Sequence, residues 1–512
     1  MLRRLGRLLS ATLVLTACLA TIGHADDEIV REFKKYFRKY KDTSTRVEAV
    51  LALEGTESSA VVDALVPVLK DGESEVKNAV VRVLAGFHDA RPVEAVIASL
   101  VDNKNETVRL GLLRVVTEAG YPGAAESLFE LLEDRSWEVR LRASQALFAT
   151  GDGRAVEAVL PLVEDKEPAV RGAALDGLAA SGTRSVLEPA RALLVDPSWQ
   201  VRASAIHALG SVREKQSIPL LIDRLEAEDG RLQEDIAQAL FRLTTRNFGQ
   251  RPELWRRFWE RLPADYSIPT EAELEKLRAR QKENAARYSA DGSTAYHGIE
   301  TPSKSIIFVI DVSGSMEQMV MEPERFKDGG YPSMHRLDIV KTELRRTIEK
   351  LEPYVRFNVL SFATDVKPWK KDLVPANVLN KSSADSWIER LEAIGGASKQ
   401  DLAEVGLGAS ANLEGGKTNT YDALMAALGI DTKKKKRKKT DYAVDIDTIF
   451  FLSDGRPSHG AYTVPEDILR EVEEANSLRR VVIHTIGIGD VHLELMRELA
   501  RQNGGEFVDL GR

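Results

Sequence analysis

Two hydrophobic patterns divide the chain. Between residues 76 and 240 apolar positions recur with a long period, with Val76, Val108, Val139, Val170, Val201 and Leu232 spaced 32, 31, 31, 31 and 31 residues apart. A recurrence this regular predicts stacked repeat units. Each anchor is followed by Lys77, Arg109, Arg140, Arg171, Arg202 or Gln233, and eight residues after it stands Leu84, Val116, Leu147, Leu178, Leu209 or Leu240. Offsets 0, +4, +7 and +8 share one helical face. At +4 and +7 the middle repeats carry Ala143, Ala146, Ala174, Gly177, Ala205 and Ala208, small enough for neighbouring helices to pack closely. Asp134, Asp165 and Asp196 stand five residues before their anchors and predict turns. Gly120, Gly151 and Gly182 stand at +12, where a left-handed helix end favours glycine. Each unit is predicted to be a helix–turn–helix.

This pattern resembles HEAT-like repeats of the short bacterial type over about residues 43–262. The resemblance implies an α-solenoid whose stacked faces bind a partner. Residues 27–41 place Phe33, Tyr36, Phe37 and Tyr40 opposite Lys34, Lys35, Arg38 and Lys39, as expected of an N-terminal cap helix. Asn247-Phe248-Gly249 with Trp255 and Trp259 breaks the repeat and predicts a C-terminal cap. Trp137 and Trp199 share one repeat offset and are expected to pack the turns, with an exposed binding stripe as the alternative.

Beyond a polar stretch at 264–302, with a charged helix expected around Glu271–Arg287, the period changes. Ile306–Ile310 is a continuous apolar run of strand length, as in a strand buried on both faces of a parallel sheet. Further strands are expected at Val355–Phe362, Thr448–Leu452 and Val481–Ile488. Helical stretches at Leu337–Leu351, Thr420–Leu428, Glu466–Ser477 and Leu493–Arg501 separate or follow them. The alternation predicts an α/β doubly wound, mostly parallel sheet, which binds ligands beyond the carboxyl ends of its strands. The expected organisation is a signal peptide at 1–25, a capped HEAT-like α-solenoid at 26–263, a linker at 264–302 and the α/β domain at 303–512.

The chemistry falls at that strand edge. Asp311-Val312-Ser313-Gly314-Ser315-Met316 follows the first strand, Thr418-Asn419-Thr420 precedes a helix, and Ser453-Asp454-Gly455 follows a later strand. Carboxylates and hydroxyls offer only oxygen, which suits a hard cation: Mg²⁺, with Mn²⁺ or Ca²⁺ as alternatives. The constellation resembles the von Willebrand factor type A domain and its metal-ion-dependent adhesion site. The resemblance implies that Asp311, Ser313, Ser315, Thr418 and Asp454 hold the ion directly or through water, and that an acidic residue of a protein partner completes the coordination. Two loops depart from the pattern, a long Glu317–His335 and a Gly/Ala/Ser-rich Gly395–Glu414. Lys417 intervenes before Thr418. Gly416-Lys417-Thr418 also looks like the end of a phosphate-binding loop, but that loop needs glycine where Ala411 stands. No G-x-S-x-G elbow surrounds the serines, and His459 and His484 sit in no recognisable base motif.

Composition narrows the function. With 43% hydrophobic and 29% charged residues the chain can bury large cores. Its 71 basic and 79 acidic residues give −8, no footprint of a nucleic-acid binder. One cysteine, Cys18, excludes an intramolecular disulfide framework. Arg3, Arg4 and Arg7 ahead of an apolar run from Leu8 to Ile22, then Gly23-His24-Ala25, predict an export signal and a periplasmic or secreted protein. Leu15-Thr16-Ala17-Cys18 resembles a bacterial lipobox, so a lipid anchor at Cys18 is the alternative. Lys433, Lys434, Lys435, Lys436, Arg437, Lys438 and Lys439 form a basic run, expected to be a solvated loop or a contact to an anionic surface. The expectation is an exported binding protein or scaffold, not an enzyme. An assembly or chaperone-like subunit of an envelope complex is the alternative, and a metal- or nucleotide-dependent hydrolase the lesser one.

Overall fold

The computed structural model describes residues 28–510 apart from 264, 278–293, 297–298, 396–415, 431, 433–443, 455 and 490–492. Described helices or spans long and apolar enough to cross a membrane are absent. The chain divides into two compact units, Met1–Pro189 and Ala190–Arg512.

In the first unit the predicted repeats are helix pairs. The anchor helices are Ser74–Ala85, Glu106–Ala119, Trp137–Thr150 and Pro168–Ala180. Val76, Val108, Val139 and Val170 are fully buried, as are Leu84, Val116, Leu147 and Leu178 at +8. Gly120, Gly151 and Gly182 adopt φ of +64°, +72° and +70° at the helix ends. At Gly177 a side chain would collide with the Phe148 ring, 2.5 Å from the position of its first carbon.

The arginine after two of the anchors, Arg109 and Arg140, acquires a role that the period alone does not disclose. Arg109 pairs with Asp134 at 2.8 Å and Arg140 with Asp165 at 2.7 Å, and Arg46 with Asp71 at 2.6 Å repeats the same 25-residue step. Each aspartate also accepts the backbone N–H two residues on: Glu73 at 3.0 Å, Ser136 at 2.7 Å and Glu167 at 2.8 Å. The carboxylate therefore shapes its own turn and receives the arginine of the preceding repeat. Arg140 also donates through Nη1 to the Asp134 carbonyl at 2.8 Å.

At the N-terminus a helix over residues 28–39 buries Val30 and Phe33. Tyr36, expected on that inner face, is 45% exposed, and its ring meets that of Tyr40 at a 45° tilt. The face turns about Val30, Phe33 and Phe37, and position 36 lies off it.

The second unit holds the anchor helices Trp199–Ser211 and Arg231–Thr244, the terminal helix Pro252–Glu260, and the α/β sheet. Trp255 is fully buried, donates its indole N–H to the Gly249 carbonyl at 2.8 Å and meets Phe248 edge-on, which is the closure expected of a cap. Arg231 lies over the half-buried Trp199 ring. The stretch read as a linker is anchored where it is described: Tyr266 donates to the Leu243 carbonyl at 3.0 Å and Arg213 donates to the Pro269 carbonyl at 2.8 Å, and just beyond it Lys304 pairs with Asp229 at 2.9 Å. It also contains an unexpected hairpin, β1 (Thr294–Tyr296) with β2 (Ile299–Thr301).

The sheet contains β3 (Ser305–Asp311), β4 (Arg356–Phe362), β5 (Val366–Pro368), β6 (Val374–Pro375), β7 (Thr448–Ser453), β8 (Val482–Gly487) and β9 (Phe507–Asp509). β3 pairs in parallel with β4 and β7, β7 with β8, and β8 with β9, while β5 and β6 run antiparallel on β4. β3 is buried on both faces: Ile306, Phe308 and Ile310 enter one core, Ile307 and Val309 the other. The chain leaves β3 for β4 on one side, while β7 lies on the other. The carboxyl ends of β3 and β7 thus meet at a topological switch point, where such folds form a crevice.

Candidate functional site

Register places the acidic groups together. Ile310 opposes Leu452 across β3 and β7, so Asp311 and Ser453 leave the sheet side by side. Ser453 Oγ donates to Asp311 Oδ2 at 2.6 Å, and the Ser313 N–H donates to Asp311 Oδ1 at 2.8 Å. Ser313 Oγ and Ser315 Oγ are 3.1 Å apart, and Ser315 Oγ donates to Asp454 Oδ1 at 2.7 Å. A continuous hydrogen-bonded chain therefore runs from Asp311 through the Ser313 N–H, then through the Ser313 and Ser315 hydroxyls to Asp454, with Ser453 at its Asp311 end. Asp311, Ser313 and Asp454 are buried.

Thr418 reaches the same edge by another route. Its N–H donates to Ser458 Oγ at 3.0 Å, and its carbonyl accepts from the Ser458 and His459 N–H groups. Asn419 bonds the Ala363 carbonyl just beyond β4 and caps the helix Thr420–Ala427 through Asp422. The loop is tied to both neighbours of β3, and Thr418 is buried. Its hydroxyl joins none of the other four residues in a hydrogen bond among the described residues, so four predicted donors form one network and the fifth stands beside it. Most of the Gly395–Glu414 insertion and the whole Lys433–Lys439 run lie outside the described residues.

Three participants escaped sequence reasoning, Ser458, Gly489 and Arg336, and Ser453 was seen only as the residue before Asp454, not as a partner of Asp311. Arg336 begins the helix Arg336–Lys350 and places Nη1 2.7 Å from Asp454 Oδ2, with 6% of its side chain exposed. No local signal marks it in the sequence, because its partner Asp454 lies 118 residues further on.

The electrostatics are those of a cation-poor pocket. Burial, then the neighbouring Asp454 charge, pushes the Asp311 carboxyl up to about 7, against the hydrogen bonds from Ser313 and Ser453. Burial also raises Asp454, while the Arg336 hydrogen bond and charge pull it down. Among the described residues no group of three or more His, Cys, Asp and Glu side chains could hold a metal; the edge offers two carboxylates supplemented by hydroxyls.

Residues 305–510 match the model of the von Willebrand factor type A domain, and residues 30–115, 93–168 and 156–240 match that of HEAT repeats. The chain carries HEAT repeats and a von Willebrand factor type A domain. Human inter-alpha-trypsin inhibitor heavy chain H4 is 30% identical over 213 residues, 41% of this chain and 18% of that protein. Human heavy chain H6 is 28% identical over 214 residues, 41% of this chain and 13% of its own length. The match thus spans less than a fifth of these relatives. Among solved structures, a von Willebrand factor type A protein from Catenulispora acidiphila is 18% identical, covering 41% of this chain and 39% of its own, with a TM-score of 0.25. A computationally designed armadillo repeat protein for modular peptide recognition is 19% identical, covering 38% of this chain and 98% of its own, with a TM-score of 0.27.

Proposed function

We propose that this is an exported protein-binding or scaffold protein whose type A domain grips an anionic group of its partner through a divalent cation, Mg²⁺ or Mn²⁺, while the HEAT repeats offer a second binding surface. The observation that carries the reading is the hydrogen-bonded chain from Asp311 through the Ser313 N–H and the Ser313 and Ser315 hydroxyls to Asp454. The fit is chemical: of two buried carboxylates only Asp454 pairs with the buried Arg336 guanidinium, so Asp311 has no basic partner among the described residues, and the edge offers the oxygen donors that hard cations take. Ser313, Ser315 and Asp454 would face the ion, Asp311 would orient Ser313 through its N–H, and Thr418 would complete the set from its own loop. A bound cation supplies an electrophilic point of attachment for a carboxylate. The protein's part is to hold the hydroxyls in place and keep the carboxylates dry.

The basic run Lys433–Lys439, outside the described residues, belongs to this proposal as a contact to an anionic surface near the same domain. The export signal is a proposal too, resting on residues 1–25. Calorimetric titration of the whole chain with Mg²⁺ and Mn²⁺ tests the cation reading: wild type is expected to bind one ion per chain, and Asp311→Ala and Asp454→Ala to lose it while the far-ultraviolet dichroism stays unchanged. Unaltered ion binding in both variants refutes the site. Capture of envelope proteins with and without chelator then tests the partner: retention that ignores chelator assigns binding to another surface.

A further inference from the structure

A charge of the opposite sign is built into the candidate cation site, and it gives that reading a finer consequence. The Arg336 N–H bonds the Gln318 carbonyl at 2.9 Å, fixing the start of its helix against the loop that follows Ser315. The guanidinium lies against Asp454, whose carboxylate has no exposed surface, at 2.7 Å, and Nη1 also faces the Ser315 carbonyl at 3.5 Å. Gly489 covers it from the other side. A side chain there would place its first carbon 2.4 Å from Arg336 Cζ, and φ of +96° already favours glycine. Arg336 Nε is buried without a hydrogen-bond partner among the described residues; Asp490, next to Gly489, lies outside them.

A guanidinium carries a fixed positive charge, and here it stands as a built-in countercharge to Asp454. On the cation-binding reading above, we infer that Arg336 sets the charge of the loaded site: by neutralising Asp454 it weakens the hold on the divalent ion and strengthens the hold on the anionic group that meets it. With Asp454 paired, Asp311 is the one uncompensated carboxylate in the described network, and a divalent ion leaves the site net positive. Lys417, beside Thr418, and the exposed Arg456, two residues beyond Asp454, carry the same sign. Glu317, two residues beyond Ser315 and with one buried carboxylate oxygen, is the opposing charge on that loop. One fixed positive charge acts in opposite directions on a cation and on an anion. A residue that merely props up the loop would weaken both.

The test uses the whole chain, Mn²⁺ as the ion and acetate as the anion. Mn²⁺ affinity is read by calorimetry, and acetate affinity by loss of the water relaxation enhancement of bound Mn²⁺. Arg336→Met and Arg336→Gln are expected to bind Mn²⁺ roughly ten-fold more tightly and to bind acetate roughly ten-fold more weakly, while Arg336→Lys stays near wild type in both. Mn²⁺ should also raise the melting temperature of Arg336→Met more than that of wild type. A wild-type protein that binds no Mn²⁺ defeats the cation reading itself. If wild type binds Mn²⁺, equal or weaker Mn²⁺ binding in the uncharged variants, or tighter binding with unchanged acetate affinity, overturns the role of Arg336. Should the uncharged variants unfold in chelator, refolding on adding Mn²⁺ supports the inference, and failure to refold in both shows Arg336 to be structural.

Discussion

Replacing Arg140 by Met tests the arginine ladder of the repeats. The substitution keeps an apolar stem and removes a guanidinium that donates through Nε and Nη2 to both oxygens of Asp165, each at 2.7 Å, and through Nη1 to the Asp134 carbonyl at 2.8 Å. Both side chains are more than nine-tenths buried. Removing one partner of a buried pair costs about 3–5 kcal/mol, mostly because the other charge is stranded. Asp165 keeps the Glu167 N–H at 2.8 Å, which places the expected loss near the lower end, about 3 kcal/mol. Arg140→Lys should lose about half of that, since one ammonium cannot serve both oxygens and the carbonyl. Asp165→Ala removes the stranded charge as well, so the double variant should be more stable than the sum of the single losses by at least about 1 kcal/mol. Urea unfolding followed by helical dichroism for wild type, both single variants and the double variant measures this cycle. Single losses below about 1 kcal/mol, or strict additivity, would refute the claim that the ladder joins successive repeats energetically.

Two further outcomes follow from the α/β domain. His484 accepts the Glu506 N–H at 3.0 Å, and burial followed by the nearby Arg231 charge lowers its pKa from 6.5 to about 4. The unfolded chain takes up a proton between those values and the folded chain does not, so this contribution is present above about pH 6.5 and lost as pH falls to about 4. Relative to His484→Gln, wild type should lose up to about 3 kcal/mol between pH 7 and pH 4 in urea melts with chelator; the comparison with the variant removes the opposite trend of Asp311. Parallel pH profiles for the two proteins would show His484 to be solvated. Gly489→Ala should lower the melting temperature and displace Arg336, because both its positive φ and the 2.4 Å approach to the guanidinium are incompatible with a methyl group. An unchanged melt would show the loop to be pliant.

What was legible in the sequence is what short-range physics controls. The repeat period, the anchor valines and the glycine helix ends follow from helical packing and backbone sterics, the strands β3 and β7 from continuous apolar runs, and β4 and β8 from segments rich in β-branched and aromatic residues. β5 and β6 were not legible, being short edge pieces that each include a proline, Pro368 and Pro375. Asp311, Ser313, Ser315 and Asp454 could be read because the strand ends carry them to one edge. The basic residues after the anchors were visible, but their aspartates stand 25 residues away and are chosen by the stacking of repeats. Arg336 was hidden for the same reason. Nothing local distinguishes an arginine at a helix start, and only the order of the strands brings it beneath Asp454.

The most direct measurement of the central claim is anomalous scattering from crystals of the whole chain grown in Mn²⁺, recorded on the high-energy side of the manganese edge. The account predicts one strong peak at the carboxyl ends of β3 and β7, within coordination reach of Ser313 and Ser315 and bordered by Asp311, Asp454 and Thr418. Crystals with an ordered edge and no manganese peak there, at Mn²⁺ concentrations that load other hard-cation sites, would contradict it.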